Sequence, residues 1–200
     1  MSIRIAKNHL LRKNEIVESA RRIISNHGIE RLTIREIAKD LKLTDGALYR
    51  HFKSKKEIME LLIEDIENTL LGTIESAAKI ADCPLEKLEN ILLSHLSYSE
   101  QRKGITYIVI VETLNLHDKT LQAKMYKVIE KYLRKIEEML VEGVKSGKLK
   151  KDTNKTLSSI AFFGIVQSLV TIWALSGYKY SLEKNHIKEI FNIYIDGIRS

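Results

Sequence analysis

Chain-breaking residues are scarce in this sequence, and their scarcity constrains the fold more than any other feature. The 200 residues include one proline and nine glycines, whereas an all-β sandwich or barrel needs turn residues about every 8–12 positions. Between these breaks, apolar residues recur at steps of three and four, which is the spacing of amphipathic helices. Hydrophobic residues make up 44% of the chain, enough to form a core. We therefore expect an all-α fold.

The N-terminal segment predicts three helices with a tight corner between the second and the third. Residues 14–26 have an amphipathic pattern, and Thr33 followed by Glu36 is typical of a capping box at the start of a second helix. Thr44 is placed to cap a third, short helix that continues to Phe52. Two short helices joined by a turn of about three residues form a helix-turn-helix, whose second helix lies in the major groove of DNA.

The rest of the chain predicts a further series of helices. The stretch from Gly104 to Leu116 is ambiguous alone, because its β-branched residues are also typical of a strand. No neighbouring segment offers a partner strand, so a buried helix is favoured. Residues 160–175 are strongly apolar. Because polar residues interrupt this stretch and about 20 apolar residues are needed to cross a bilayer, we expect no membrane span.

Positive charge is concentrated in the first quarter of the chain. Residues 1–56 have 14 lysines and arginines against 6 acidic residues, while residues 57–200 are close to neutral. This division indicates an anionic partner for the N-terminal segment, with nucleic acid ahead of membrane lipid. The alternative is an ordinary charged surface. We place the domain boundary here: a DNA-binding domain over 1–56, with a connecting helix starting near 55, and a larger helical domain over 57–200.

The segment from residue 16 to residue 66 resembles the N-terminal domain of the TetR family of bacterial transcriptional regulators. The resemblance is carried by residues 32–38 (LTIREIA), 41–43 (LKL) and 46–55 (GALYRHFKSK). One departure is Lys42, which stands where the family usually has glycine at the corner and which is strained if its φ is positive. The resemblance implies an all-helical C-terminal domain that dimerises through its last two helices and contains an effector pocket.

The resemblance also implies DNA contacts from both short helices and from the start of the next helix. Asp45 is a possible acceptor for a cytosine amino group, and Lys55 is placed to bind a phosphate at a helix N-terminus. The alternative for Tyr49 and His51 is that they only fill the corner. A basic segment before the first helix, with Lys7, Arg12 and Lys13, is a further candidate for contact with the DNA backbone. The residues assigned to DNA are Thr33, Arg35, Thr44, Asp45, Gly46, Ala47, Tyr49, Arg50, His51 and Lys55.

The C-terminal part predicts a pocket and a dimer interface. Small residues at four-residue spacing, Gly164 and Ser168, permit close approach of helices from two chains; the alternative is that these faces are buried within one chain. An apolar cavity with a few polar groups suits a lipophilic or aromatic effector, although each lining residue alone is also an ordinary core residue. The candidate lining residues are His95, Ser99, Tyr107, Val111, Glu112, Tyr126, Phe163, Gln167 and Trp173.

Together these observations predict a ligand-responsive DNA-binding transcriptional regulator. We expect a homodimeric repressor that a small-molecule effector releases from a near-palindromic site on double-stranded DNA. The alternative is a DNA-binding protein of the same fold that a protein partner controls. We expect no enzyme activity, because the sequence has no phosphate-binding loop or nucleophile motif, and no cofactor or metal. One cysteine and no visible signal peptide favour the cytoplasm.

Overall fold

The computed structural model describes residues 2–50, 52–182 and 187–200, and for residues 2–12 the backbone alone. The described chain is all-α and has no strands, apart from a single antiparallel bridge between Leu149 and Arg199. The predicted fold class is therefore confirmed. The helices are α1 (Ser2–His27), α2 (Ile34–Asp40), α3 (Asp45–Tyr49), α4 (Lys55–Ala78), α5 (Pro84–Gln101), α6 (Ile105–Asn115), α7 (Lys119–Lys145), α8 (Lys155–Leu175) and α9 (Ile187–Ile198).

Side chains at the helix starts satisfy backbone N–H groups that have no partner within the helix. Thr33 Oγ1 accepts from the N–H of Glu36 at 3.1 Å, as the capping pattern predicts. Asn154 Oδ1 accepts from the N–H of Leu157 at 3.0 Å at the start of α8. Pro84 occupies the first turn of α5, where its missing N–H costs nothing.

Three elements differ from their predicted bounds. α1 begins at Ser2 instead of residue 14, so the basic N-terminal segment is part of the helix. α3 is shorter than predicted and ends at Tyr49. The apolar spacing of residues 182–199 predicts a last helix from Leu182, but residues 183–186 lie outside the described part of the chain, and α9 is described from Ile187.

The chain divides into two compact units. The first unit comprises residues 1–66 and 108–125, and the second comprises residues 67–107 and 126–200. Residues 108–125 thus cluster with the N-terminal helices, although 41 residues, 67–107, separate the two segments in sequence. The functional division near residue 56 stays a prediction.

In the first unit, α2 packs against α1 and α3. Ala38 is fully buried, and its small side chain lets the two short helices cross closely. The chain reverses at Lys42, whose φ is +55°, and the N–H of Leu43 donates to the carbonyl of Ala38 at 2.8 Å. Leu48 of α3 is 2% exposed. These contacts hold the opposite side of α3 at the surface.

In the second unit, α5 packs against both α8 and α9. α8 buries one face, which includes Phe162, Val166, Val170 and Trp173. By length and composition alone this helix is apolar enough to cross a membrane. The core helix of a soluble protein meets the same criterion, so a single helix of this kind is weak evidence for a membrane span.

The left-handed backbone at the corner yields a stability prediction. We expect Lys42→Gly to raise the free energy of unfolding by about 0.5–1 kcal/mol, because glycine adopts positive φ without the steric cost of a Cβ. Urea denaturation measures the change. Lys39→Gly, inside α2 on the same surface, is the matched control and should instead lower stability by about 1 kcal/mol. A lower stability for both variants would contradict the assigned strain.

Candidate nucleic-acid interface and effector region

The residues predicted to contact DNA lie at the surface of α2, α3 and the adjoining turns. Tyr49 is 51% exposed, while the adjacent Leu48 is in the core, so Tyr49 does not serve to fill the corner. Ala47 is half-buried, and His51 lies outside the described residues. The remaining members that the structure exposes are Thr33, Arg35, Thr44, Asp45, Gly46 and Arg50.

The first residues of α3 leave room for a close approach to the bases. A Cβ placed on Gly46 meets no atom within 4 Å. The side chain of Arg50 folds back along the helix, and its Nε donates to the carbonyl of Gly46 at 3.3 Å. Asp45 is an exposed acid in this first turn, and its predicted role is to accept a hydrogen bond from a cytosine amino group. These assignments to individual bases and phosphates stay predictions.

Lys55 is less accessible than the candidates that the structure exposes. Its side chain is 29% exposed, and its Nζ lies 2.7 Å from Glu112 Oε1. The same ammonium group donates to the carbonyl of Ile29 at 3.4 Å. Glu112, which the sequence assigned to the effector pocket, is therefore the ion-pair partner of a predicted phosphate-binding residue.

Further ion pairs join α4 to residues 108–125 within the first unit. Lys56 Nζ is 2.8 Å from Asp118 Oδ2, and Lys124 Nζ is 3.1 Å from Glu60 Oε2. The hydrogen bond between Lys56 and Asp118 raises the pKa of the lysine and lowers that of the aspartate. Since these groups are exposed to solvent, each pair adds little to stability.

The second unit contains a buried polar and aromatic cluster. His95 is 1% exposed, and its Nδ1 lies 3.1 Å from the hydroxyl of Tyr132. Tyr132 also packs edge-on against Phe163, with ring centroids 5.4 Å apart. Burial lowers the pKa of His95 to about 3, so the imidazole is neutral at pH 7. The sequence pattern places Tyr132 on the apolar face of a long helix that begins after Asp118, and it gives no sign that Tyr132 links the candidates His95 and Phe163.

The other candidate effector residues are dispersed. Ser99 and Trp173 are buried, and the indole Nε1 donates to the carbonyl of Tyr180 at 2.7 Å. Tyr126 is 66% exposed and Val111 is 38% exposed, which places both at the surface. Tyr107 and Gln167 are half-buried, as is Phe163. The predicted effector set stays a prediction.

A groove in the second unit was not predicted. It has a volume of about 340 Å³ and lies between α4, α5 and α7, a size at the lower end of small-molecule sites. Apolar and charged side chains both contribute, and none of them belongs to the predicted effector set. The lining residues are Ile74, Glu75, Ala78, Lys79, Ile91, Lys135, Glu138 and Met139. Among the described residues, no three acidic, histidine or cysteine side chains are grouped to hold a metal ion.

Comparison with known proteins gives two family matches that together span most of the chain. Residues 16–62 match the family described as bacterial regulatory proteins, tetR family. Residues 55–197 match the family described as YsiA-like protein, C-terminal region. The two matches overlap at the start of α4.

Individual relatives cover nearly the whole chain. The fatty acid metabolism regulator protein of Bacillus subtilis (strain 168) is 27% identical over 170 residues, which cover 84% of this chain and 86% of that protein. The nucleoid occlusion factor SlmA of Aliivibrio fischeri (strain MJ11) is 26% identical over 176 residues, covering 87% and 89%. The crystal structure of the transcriptional regulator FadR from Bacillus subtilis in complex with stearoyl-CoA has a TM-score of 0.78 and 25% identity, covering 92% and 98%.

The burial of His95 predicts a pH dependence of stability. The folded protein keeps this imidazole neutral down to about pH 3, whereas an unfolded chain protonates it below about pH 6.5. The stability that His95 contributes is therefore complete above pH 6.5 and is lost as the pH falls toward 3. Relative to His95→Gln, the wild-type protein should lose about 1 kcal/mol per pH unit between pH 6 and 4.5.

Urea denaturation at several pH values measures this difference. His27→Gln removes an exposed histidine and is the matched control for the substitution itself. Parallel stability curves for wild type and His95→Gln would contradict the burial of a neutral imidazole.

Proposed function

The chain belongs to the tetR family of bacterial regulatory proteins, and we propose that it is a repressor that acyl-coenzyme A thioesters release from DNA. It is a ligand-responsive, DNA-binding transcriptional regulator. The observation that carries the effector proposal is the similarity to a fatty acid metabolism regulator over 84% of the chain, together with the stearoyl-CoA complex of a structural relative.

The chemistry of the second unit supports an effector with an apolar chain and an anionic head group. The groove combines apolar side chains, including Ile91 and Met139, with the lysines Lys79 and Lys135. Lys135 Nζ lies 3.5 Å from Glu75 Oε1, so Lys79 is the cation that we assign to a coenzyme A phosphate. The acyl chain would lie against the apolar wall, where burial of each methylene contributes about 0.8 kcal/mol.

The exposed surface of α2 and α3 supports the proposed division of DNA contacts. Lysine, threonine and tyrosine side chains that bind phosphates fix the position of the protein on the duplex, while Asp45 and Arg50 read base edges. Two such surfaces in a symmetric dimer match successive major grooves, about 34–36 Å apart. The effector favours a dimer in which this spacing does not fit the operator.

We assign the dimer interface to α8 and α9. α8 leaves a second face exposed, opposite the buried face, and its apolar members include Leu157, Ile172 and Leu175. Ile193 of α9 is 76% exposed. Gly164 and Ser168 lie on the exposed side of α8, where two helices can approach closely. A second copy covers this apolar surface, and this role accounts for the apolar composition of α8 without a membrane.

The second candidate function is control by a protein partner, and the similarity to a nucleoid occlusion factor is what favours it. We prefer the effector mechanism, because the groove offers a site for a small molecule. We also propose that the chain has no enzyme activity and acts in the cytoplasm, where its DNA is.

Binding and release assays test the effector. We expect stearoyl-CoA to bind the purified protein in calorimetry and to release it from DNA taken from upstream of its own gene. Free coenzyme A and stearate, which each supply only half of the molecule, should bind at least tenfold more weakly. If no acyl-CoA of any chain length binds although the DNA complex forms, the effector proposal is wrong. Control by a protein partner is then the favoured function.

The dimer proposal predicts the effect of a substitution at Gly164. A Cβ there meets no atom of the same chain within 4 Å, so Gly164→Arg leaves the fold of one chain intact while it places two cations in the dimer interface. Sedimentation should show monomers at concentrations at which the wild-type protein is dimeric. Gly72→Arg is the matched control, because Gly72 is also helical and equally open. A dimeric Gly164→Arg variant would contradict the assigned interface.

A further inference from the structure

The first turn of α4 carries two lysines whose ammonium groups both lie on carboxylates of residues 108–125. Lys55 pairs with Glu112 at 2.7 Å, and Lys56 pairs with Asp118 at 2.8 Å. The two pairs differ in burial, because the side chain of Glu112 is 8% exposed and that of Asp118 is 28% exposed. The Lys55–Glu112 pair is thus the more strongly shielded from solvent.

Two of the three N–H donors of the Lys55 ammonium point toward the protein. One is bonded to Glu112, and another reaches the carbonyl of Ile29. A nearly buried carboxylate that loses its cation is left as an unpaired charge, which is strongly destabilising. Glu112 therefore opposes any movement of Lys55 away from it.

Charge neutralisation has a direct consequence for DNA. A lysine contributes to duplex binding by neutralising a phosphate and releasing its counterion. When the ammonium group is already paired with a carboxylate, the ion pair as a whole has little net charge with which to neutralise a phosphate. Lys55 is the residue assigned to a phosphate, and its ammonium group is already paired with the carboxylate of Glu112.

We propose that Glu112 competes with a DNA phosphate for Lys55, so that this ion pair lowers the affinity of the protein for DNA. The inference rests on the proposed DNA contact of Lys55 and assigns Glu112 a function other than effector binding. Glu112 sets the strength of DNA binding without touching DNA.

A double-mutant cycle tests the competition. Glu112→Gln keeps the size of the side chain and removes its charge, so it frees Lys55. Fluorescence anisotropy with labelled upstream DNA should show about tenfold tighter binding than for the wild-type protein. Lys55→Ala should bind more weakly than wild type, and adding Glu112→Gln to Lys55→Ala should restore nothing.

Two further measurements distinguish the effect of the Lys55–Glu112 pair from the general effect of removing a negative charge. Glu60→Gln removes the same charge from the first unit, but its partner is Lys124, so the affinity for DNA should change less than twofold. Phosphate contacts do not depend on sequence, so the cycle is repeated on a scrambled duplex, where the same pattern is expected. Should circular dichroism show that Glu112→Gln is unfolded, Glu112→Asp, which withdraws the carboxylate by one methylene, has the same expected direction.

The outcomes separate this inference from the proposed function. Unchanged or weaker binding by Glu112→Gln overturns the competition, and so does an equal gain in the presence and absence of Lys55. If the wild-type protein does not prefer upstream DNA to scrambled DNA, the regulator proposal is in question, whereas the cycle still reports on Glu112. If the protein binds its operator selectively but the double-mutant cycle shows no coupling between Lys55 and Glu112, only this inference is rejected.

Discussion

The turn between α2 and α3 is the constraint on which the DNA-binding surface depends. Lys42 adopts a left-handed backbone there, and the N–H groups of Lys42 and Leu43 bond back to the carbonyls of Lys39 and Ala38. Because Ala38 and Leu48 are buried and α2 packs against α3, these contacts orient α3 against α2. That orientation exposes the polar residues from Thr44 to Arg50, and every proposed contact with bases follows from it.

Sequence reasoning predicted local features of the chain, most of which are specified by neighbouring residues. The capping pattern of Thr33, the positive φ suspected at Lys42 and the helical state of residues 105–115 all agree with the structure. The β-branched run in α6 would have favoured a strand by propensity alone. Tertiary burial decides for the helix, as the buried Ile105 and Val109 indicate.

Relations between distant segments could not be predicted in the same way. Glu112 pairs with Lys55 across 57 positions of sequence, and His95 reaches Tyr132 across 37. No periodicity or motif encodes such pairs, because either partner alone is compatible with a surface or core position. The same limit applies to the effector set, which combines apolar and polar residues of the C-terminal helices and contains no residue of the groove at Ile91 and Met139.

We infer that the protein binds a specific DNA site as a dimer, through its basic residues 1–56. Titration of the purified protein onto labelled DNA from upstream of its own gene, beside scrambled DNA and at several salt concentrations, tests this claim most directly. We expect a tight complex on the upstream DNA, with two protomers, or a multiple of two, per site. Equally weak binding to both DNAs that vanishes as salt rises would contradict it, because a basic surface alone behaves in that way.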